Sequence, residues 1–368
     1  MSEVKNDYNY CSMPIVPERE FKSDVNPIRI ELIRNYGKKW VNGTVLHYYF
    51  FDKDTDGEHI DLNNGQREWR TWITNEGEKD VVRNAFNQWK GIGIGIKFIE
   101  VATREEAEIR IGFMRDDGAW SYIGRDIIDL DLSKNERTMN FGWDLTQHPS
   151  EIDTAIHEIG HTLGFPHEHQ NPNAGIEWDE EAVYADLAGA PNYWSRETTD
   201  INIIRKIDPD TVQGSNWDPN SIMHYPFKAG LIKIPEQYRN GLNPAGGFSD
   251  RDKLWVKTFY PPIDTADLEE LPILVSNKLT LNRGEQKEFI IKPNETKKYN
   301  IATFGTSDSV IVLFEEGVDE ELYVAGNDDS GEDYNAKINV QLYKEKSYIL
   351  RVRVYYSQKQ DEISVMYW

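Results

Sequence analysis

Residues 157–169 read HEIGHTLGFPHEH and gather four of the chain's eight histidines into thirteen positions. His157 and His161 stand four apart, so on a helix both imidazoles project from one side, a turn apart. Such a pair holds zinc at about 2.0–2.1 Å, with Glu158 facing a bound water. Gly164 allows the chain to reverse, so that His167 reaches back as a third nitrogen ligand. Three neutral histidines leave Zn²⁺ its full charge and an open position; bound water then ionises near pH 7 and a scissile carbonyl is polarised. Glu158 takes the proton from that water and passes it to the leaving amine. The competing reading is a surface helix with solvated histidines. H-E-x-x-H alone leaves that reading open. The five fixed positions of H-E-x-x-H-x-x-G-x-x-H decide for the metal site, because histidine is scarce in this chain. A methionine further along, Met223 in SIMHY (221–225), supplies the apolar floor that such a site requires, without a bond to the metal.

The elements that position these residues are legible as patterns. TVLHYYFF (44–51), IKFIEV (96–101), AEIRIGF (107–113) and TMNFGW (138–143) read as strands. DVVRNAFNQWK (80–90) sets Val82, Phe86 and Trp89 on one helical face. The order suggests an α/β sheet with a helix packed on it. The helix carrying the histidines starts near Ser150, where SEID (150–153) has a capping-box pattern using Ser150 and Asp153. Ile152, Ile156, Ile159 and Leu163 form its packing face, and Gly164 and Pro166 end it. SDRDKLWVKTFYPP (249–262) reads as a capped helix closing a domain.

HEIGHTLGFPHE together with SIMHY resembles the astacin family of zinc endopeptidases. Glu168 directly after the third histidine and His224-Tyr225 after the methionine are the family-like details. KKWVNGTVLHYYF (38–50) resembles the family's first strand region and GAWSYIG (118–124) its substrate-binding edge strand. The resemblance implies an α+β metzincin-like domain: a twisted, mostly parallel sheet with an antiparallel edge strand and an active-site helix. It implies His157, His161 and His167 as ligands of one catalytic zinc and Glu158 as general base. Tyr225 matches the tyrosine that binds zinc at rest and swings to stabilise the oxyanion. Glu168 matches the residue that anchors a mature N-terminus. The chain departs from the family in having one cysteine, which excludes its disulfides, and Ala119 where cysteine is frequent.

The expected organisation is an N-terminal arm or pro-segment (1–37), a zinc peptidase domain (38–262), a linker (263–272) and a small all-β sandwich (273–368). KKYNIATFG, NDDSGEDYNAKINV and YILRVRVYY give the last region a resemblance to the bacterial pre-peptidase C-terminal domain. Asp328, Asp329, Glu332 and Asp333 form either a solvated acidic turn or a Ca²⁺ site. Cys11, on the arm, is either an incidental thiol or a plug whose thiolate closes the open zinc position. GKK (37–39) is a candidate processing site.

The net charge of −22 disfavours nucleic acid and anionic membranes as partners. It serves solubility, or the binding of cations and basic substrates. No run of residues is apolar for long enough to span a membrane, and no secretory signal is visible. Export is nonetheless expected from the resemblance to secreted proteases. The expected function is a zinc endopeptidase acting on proteins or peptides. The alternative is a non-catalytic, zinc-containing binding or adhesion protein. Oligomeric state is not encoded in any pattern here.

Overall fold

The computed structural model describes residues 8–16, 38–40, 42–62, 65–207, 216–263, 268–282, 285–305, 307, 309–317, 321–327, 335–354 and 361–368. The acidic turn at 328–333 and Gly37 of the candidate processing site lie outside them, while Lys38 forms an ion pair with Asp126 at 2.7 Å. Two compact units emerge. The first comprises residues 1–40, 46–93 and 98–256; the second comprises 41–45, 94–97 and 257–368.

The first unit is built on strands β1 (Val45–Phe50), β4 (Lys97–Glu100), β5 (Ile109–Gly112), β6 (Trp120–Ser121) and β7 (Met139–Asn140), in the order β4-β1-β5-β7-β6. β1, β5 and β7 run parallel, and β6 is the antiparallel edge. This is the mixed α+β sheet that the resemblance implies. A hairpin absent from the sequence reading, β2 (Gly57–Asp61) with β3 (Arg67–Thr71), and a short ribbon, β8 (Glu177–Trp178) with β9 (Ile232–Ile234), complete its strands among the described residues.

Helix α1 (Glu76–Gly91) starts four residues before the expected segment, because the Asn75 side chain accepts from the Glu78 backbone N–H and caps it. Its Val82, Phe86 and Trp89 are buried, as their spacing predicts. Trp89 donates its indole N–H to the Ile156 carbonyl at 3.0 Å, which fixes α1 against helix α2 (Ile152–Thr162). Ile156 and Ile159 of α2 and Leu163, which caps its end, are fully buried, while Ile152 of the expected face is only half-buried. The start of α2 corrects the sequence reading. Residues Pro149–Glu151 form a 3₁₀ turn, the imidazole of His148 accepts from the Ser150 N–H, and Asp153 caps nothing. The Asp153 carboxylate instead accepts from the Gly247 N–H at 3.1 Å. A capping box does exist at α4 (Asp250–Phe259), reached after α3 (Glu180–Leu187): Ser249 and Asp252 bond each other's backbone N–H groups.

The second unit is an antiparallel sandwich, apart from one parallel pair. One sheet orders β10 (Glu269–Glu270), β12 (Gln286–Ile291), β17 (Tyr348–Val354), β14 (Ser309–Glu316) and β15 (Glu321–Asn327) as β10-β12-β17-β14-β15. The other orders β11 (Asn277–Leu281), β18 (Asp361–Tyr367), β13 (Lys297–Gly305) and β16 (Lys337–Leu342) as β11-β18-β13-β16. Alternate residues of both sheets, including Phe289, Leu350, Ile301 and Val365, meet in one core. Among the described residues no helix is long and apolar enough to cross a membrane.

Glu78 ties α1 to the loop leading to α2. Its fully buried carboxylate accepts from Arg115 at 2.9 and 2.5 Å and from the Leu145 N–H at 3.1 Å, on the loop leading to α2. Thr74 and Asn75 also donate to this carboxylate, and Arg115 is partly exposed and can regain water, so its loss costs mainly the orphaned Leu145 N–H and the Thr74 and Asn75 bonds. Glu78→Ala is expected to lower stability by about 2 kcal/mol, read from the urea-unfolding transition of the first unit. An unmoved transition would show that the contact carries no net stability.

Candidate metal centre

The site forms where α2 ends. Gly164 adopts φ 92°, and the Phe165 N–H bonds back to the Gly160 carbonyl at 3.0 Å, so the chain reverses tightly. That reversal turns the Phe165 carbonyl onto His161 Nδ1 at 2.7 Å and brings His167 back to the helix. From the opposite side, the Ile222 carbonyl of the methionine turn meets His157 Nδ1 at 2.8 Å. Both carbonyls take the Nδ1 proton and leave each Nε2 as a bare lone pair.

Burial reinforces this state. Desolvation lowers His157 to about 4 and drives His161 and His167 well below the ordinary imidazole value, with neighbouring imidazoles adding to the drop. Neutral imidazole is the form that ligates a metal. His157 Nε2 is buried without a hydrogen-bond partner, and the Nε2 atoms of His161 and His167 face each other at 3.0 Å. Lone pairs converging in a dry space are repulsive unless a cation lies between them. The donors therefore fit a divalent metal.

A fourth donor joins them. Cys11 is buried, and the ligand atoms of Cys11, His157, His161 and His167 all lie within 4.8 Å of one another. Donors of one tetrahedral zinc lie roughly 3.3–3.6 Å apart, so the widest pair of this set would draw in by up to about 1 Å for all four to bind one ion. The arm is seated by several bonds. The Tyr225 hydroxyl donates to the Cys11 carbonyl at 2.8 Å, and the Ser12 N–H donates to the Ala119 carbonyl beside β6 at 3.0 Å. Asn192 receives the Tyr10 N–H at 3.0 Å and donates to the Tyr8 carbonyl at 3.0 Å, while Asn202 receives the Met13 N–H at 3.1 Å. The Tyr10 ring packs on Tyr225 and Phe227, with centroids 5.1 and 5.9 Å away.

Glu158 faces the same space, fully buried. The Cys11 thiol donates to its Oε2 at 3.4 Å, and its Oε1 has no partner. Burial lifts its carboxyl to about 8, a rise the thiol contact opposes. A bound cation would act in the opposite direction. The Tyr225 hydroxyl also contacts His167 Nε2, which brings it to the donor set. Met223 lies buried beneath, and a Cβ on Gly160 would collide with its sulfur. Glu168 is half-buried; its Oε1 accepts from the Asp218 N–H at 2.9 Å and from the Asn171 side chain at 3.2 Å.

Sequence reasoning missed Asp252. Beyond capping α4, its carboxylate accepts from Ser221 Oγ at 2.6 Å and the Ile222 N–H at 2.8 Å, and so clamps the turn whose carbonyl orients His157. The S-x-x-D pattern at 249–252 carried the signal, but not the turn it would meet. Asn192 and Asn202, which hold the arm, left no pattern to read.

Residues 66–235 match the astacin family of peptidases. The solved structure of myroilysin is 31% identical, covers 62% of this chain and 97% of its own, and superposes with a TM-score of 0.51. Zinc metalloproteinase nas-8 of Steinernema carpocapsae is 25% identical over 210 residues, and Protein SpAN of Strongylocentrotus purpuratus 25% over 158. The matches span 54% and 41% of this chain but only 44% and 22% of those two proteins.

Asp252→Ala removes the clamp without touching a donor atom. Zinc affinity is expected to fall about ten- to a hundredfold, as for other groups that orient metal ligands, in a competition titration against a chelating dye. Unchanged affinity would separate the clamp from the site.

Proposed function

Given that this chain belongs to the astacin family, we propose that it is a zinc-dependent endopeptidase held latent by its own residues 8–16. The observation that carries this reading is the convergence of three buried, neutral imidazoles on a space that Glu158 also faces. We assign the activity to residues 38–262 and treat the β sandwich of 273–368 as a separate domain. On the family resemblance alone, its setting is outside the producing cell and its substrates are proteins or peptides.

His157, His161 and His167 would hold the metal. Zinc bound there supplies Lewis acidity toward a water and toward the scissile carbonyl. Glu158 is the base. Its unpartnered Oε1 and its Oε2, now occupied by the Cys11 thiol, can accept a proton from a water and return it to the leaving amine. Tyr225 offers a phenolic O–H for charge developing on the carbonyl oxygen, the hydrogen now given to the Cys11 carbonyl. Its nearness to His167 also fits the resting zinc ligand that the resemblance implies. Met223 packs below and keeps the floor apolar. Cys11 occupies both groups at once: its thiol engages Glu158 and its carbonyl engages Tyr225. Latency and competence therefore exclude each other.

Cys11→Ser is expected to raise hydrolysis of zinc-loaded full chain on denatured, fluorescently labelled casein, and adding Tyr10→Ala should raise it further by loosening the aromatic seat. If the four-donor set were a structural zinc site, the same changes would lower zinc content and leave the chain inert. Glu158→Ala, introduced into the activated chain, should reduce turnover by a factor of roughly 10²–10⁴ with zinc retained. Equal turnover with and without Glu158 would remove it as the base.

A further inference from the structure

Asp153 precedes His157 by four residues, so it lies one turn back on the face of α2 that carries the metal donors. It does not cap the helix, and among the described residues no lysine or arginine pairs with it. Its carboxylate borders a cavity of about 230 Å³ that also reaches His157 and Glu158. Trp143, Thr154, Asn243 and the turn at Gly246 and Gly247 also line it, together with Asn9 and Cys11 of the arm, and among the described residues no lysine or arginine does. A second carboxylate stands close behind, where Glu151 accepts from the Trp143 indole N–H at 2.7 Å. At Gly246, φ is 83° and a Cβ would come within 2.9 Å of the Asp153 carboxylate.

We propose that this cavity receives the substrate side chain next to the scissile bond, and that Asp153 selects lysine or arginine there. The proposal rests on the endopeptidase reading above. Its logic is that of an incomplete ion pair. A half-buried carboxylate with one backbone N–H has lost water without gaining a cation, and both desolvation and Glu151 make its charge less favourable. A lysine or arginine head group entering the cavity reverses that imbalance. Its aliphatic stem can lie along the Trp143 ring, an amphipathic arrangement that suits long basic side chains and permits cation–π contact. An acidic side chain meets repulsion from Asp153 and Glu151. A neutral one leaves the carboxylate unpaired, and a site built around a buried polar partner discriminates strongly against analogues that lack the partner. The net charge of −22 further raises the local concentration of basic peptides.

The test compares peptides identical except for lysine, methionine or glutamate at each position flanking the scissile bond. Zinc-loaded full chain carrying Cys11→Ser and Tyr10→Ala is measured with and without Asp153→Asn. Asparagine keeps an acceptor for the Gly247 N–H, so the local fold is retained while the charge is lost. At one flanking position, lysine should exceed methionine at least about tenfold in kcat/KM, and Asp153→Asn should collapse the ratio toward one. A parallel calorimetric titration, on the same chain with Glu158→Ala added, reads binding of the same peptides without hydrolysis. Cleavage lacking a lysine preference, or a preference unmoved by Asp153→Asn, overturns the subsite and leaves the endopeptidase standing. Asp153-dependent lysine binding without any cleavage supports the subsite and overturns the endopeptidase. Neither binding nor cleavage overturns both.

Discussion

The structure of the first unit depends on keeping three imidazoles dry, neutral and aimed at one point. Desolvation alone makes them neutral, but it does not orient them. Orientation comes from two backbone carbonyls, Ile222 and Phe165, which fix the Nδ1 tautomer of His157 and His161 and turn their Nε2 atoms inward. Each carbonyl belongs to a tight turn, and each turn is braced from elsewhere. The Phe165 turn rests on Gly164 and its left-handed conformation; the Ile222 turn rests on Asp252. The helix itself is held by Trp89 of α1 and by its own buried aliphatic face. Gly160 gives room for Met223 to lie directly beneath. Loss of any one of these is expected to leave the donors in place but less well aimed.

The arm exploits the same convergence. Burial raises the Cys11 thiol well above its ordinary value, and the nearby Glu158 raises it further. A bound metal ion would shift the balance, since a coordinating thiol is deprotonated outright. On the proposed reading the seat would be held in two ways: metal affinity at Cys11, and the aromatic packing with backbone hydrogen bonds at Tyr8 to Met13. The polar part is individually modest, about 1 kcal/mol for each hydrogen bond. Release by cutting the chain or weakening the aromatic seat is thus compatible with a tight plug in the intact protein.

What could be read from the sequence was local. The histidine motif, the glycine that ends α2 and the aliphatic stripe of Ile156, Ile159 and Leu163 all act within two helical turns, so spacing alone reveals them. The antiparallel edge at β6 and the sandwich strands followed from resemblance and alternation. The errors came from side chains with two possible partners. Asp153 matches a helix cap in sequence, yet its carboxylate meets Gly247, ninety-four positions away. Asp252 matches a cap and is one, but it also clamps the methionine turn. Cys11 was legible as a lone thiol before the site, while its contact with Glu158 bridges 147 positions and depends on asparagines that carry no pattern of their own. Tertiary contacts of this length are set by packing, which periodicity does not record.

On the proposed reading, three histidines and the Cys11 sulfur converge on one metal ion. Zinc X-ray absorption on the intact, zinc-loaded chain tests it directly, because sulfur and nitrogen scatter at different distances. Three nitrogen ligands at about 2.0–2.1 Å and one sulfur at about 2.3 Å are expected, the sulfur lost when Cys11 is replaced by serine. A spectrum without sulfur would contradict the plug. A chain that takes up no zinc would contradict the site itself.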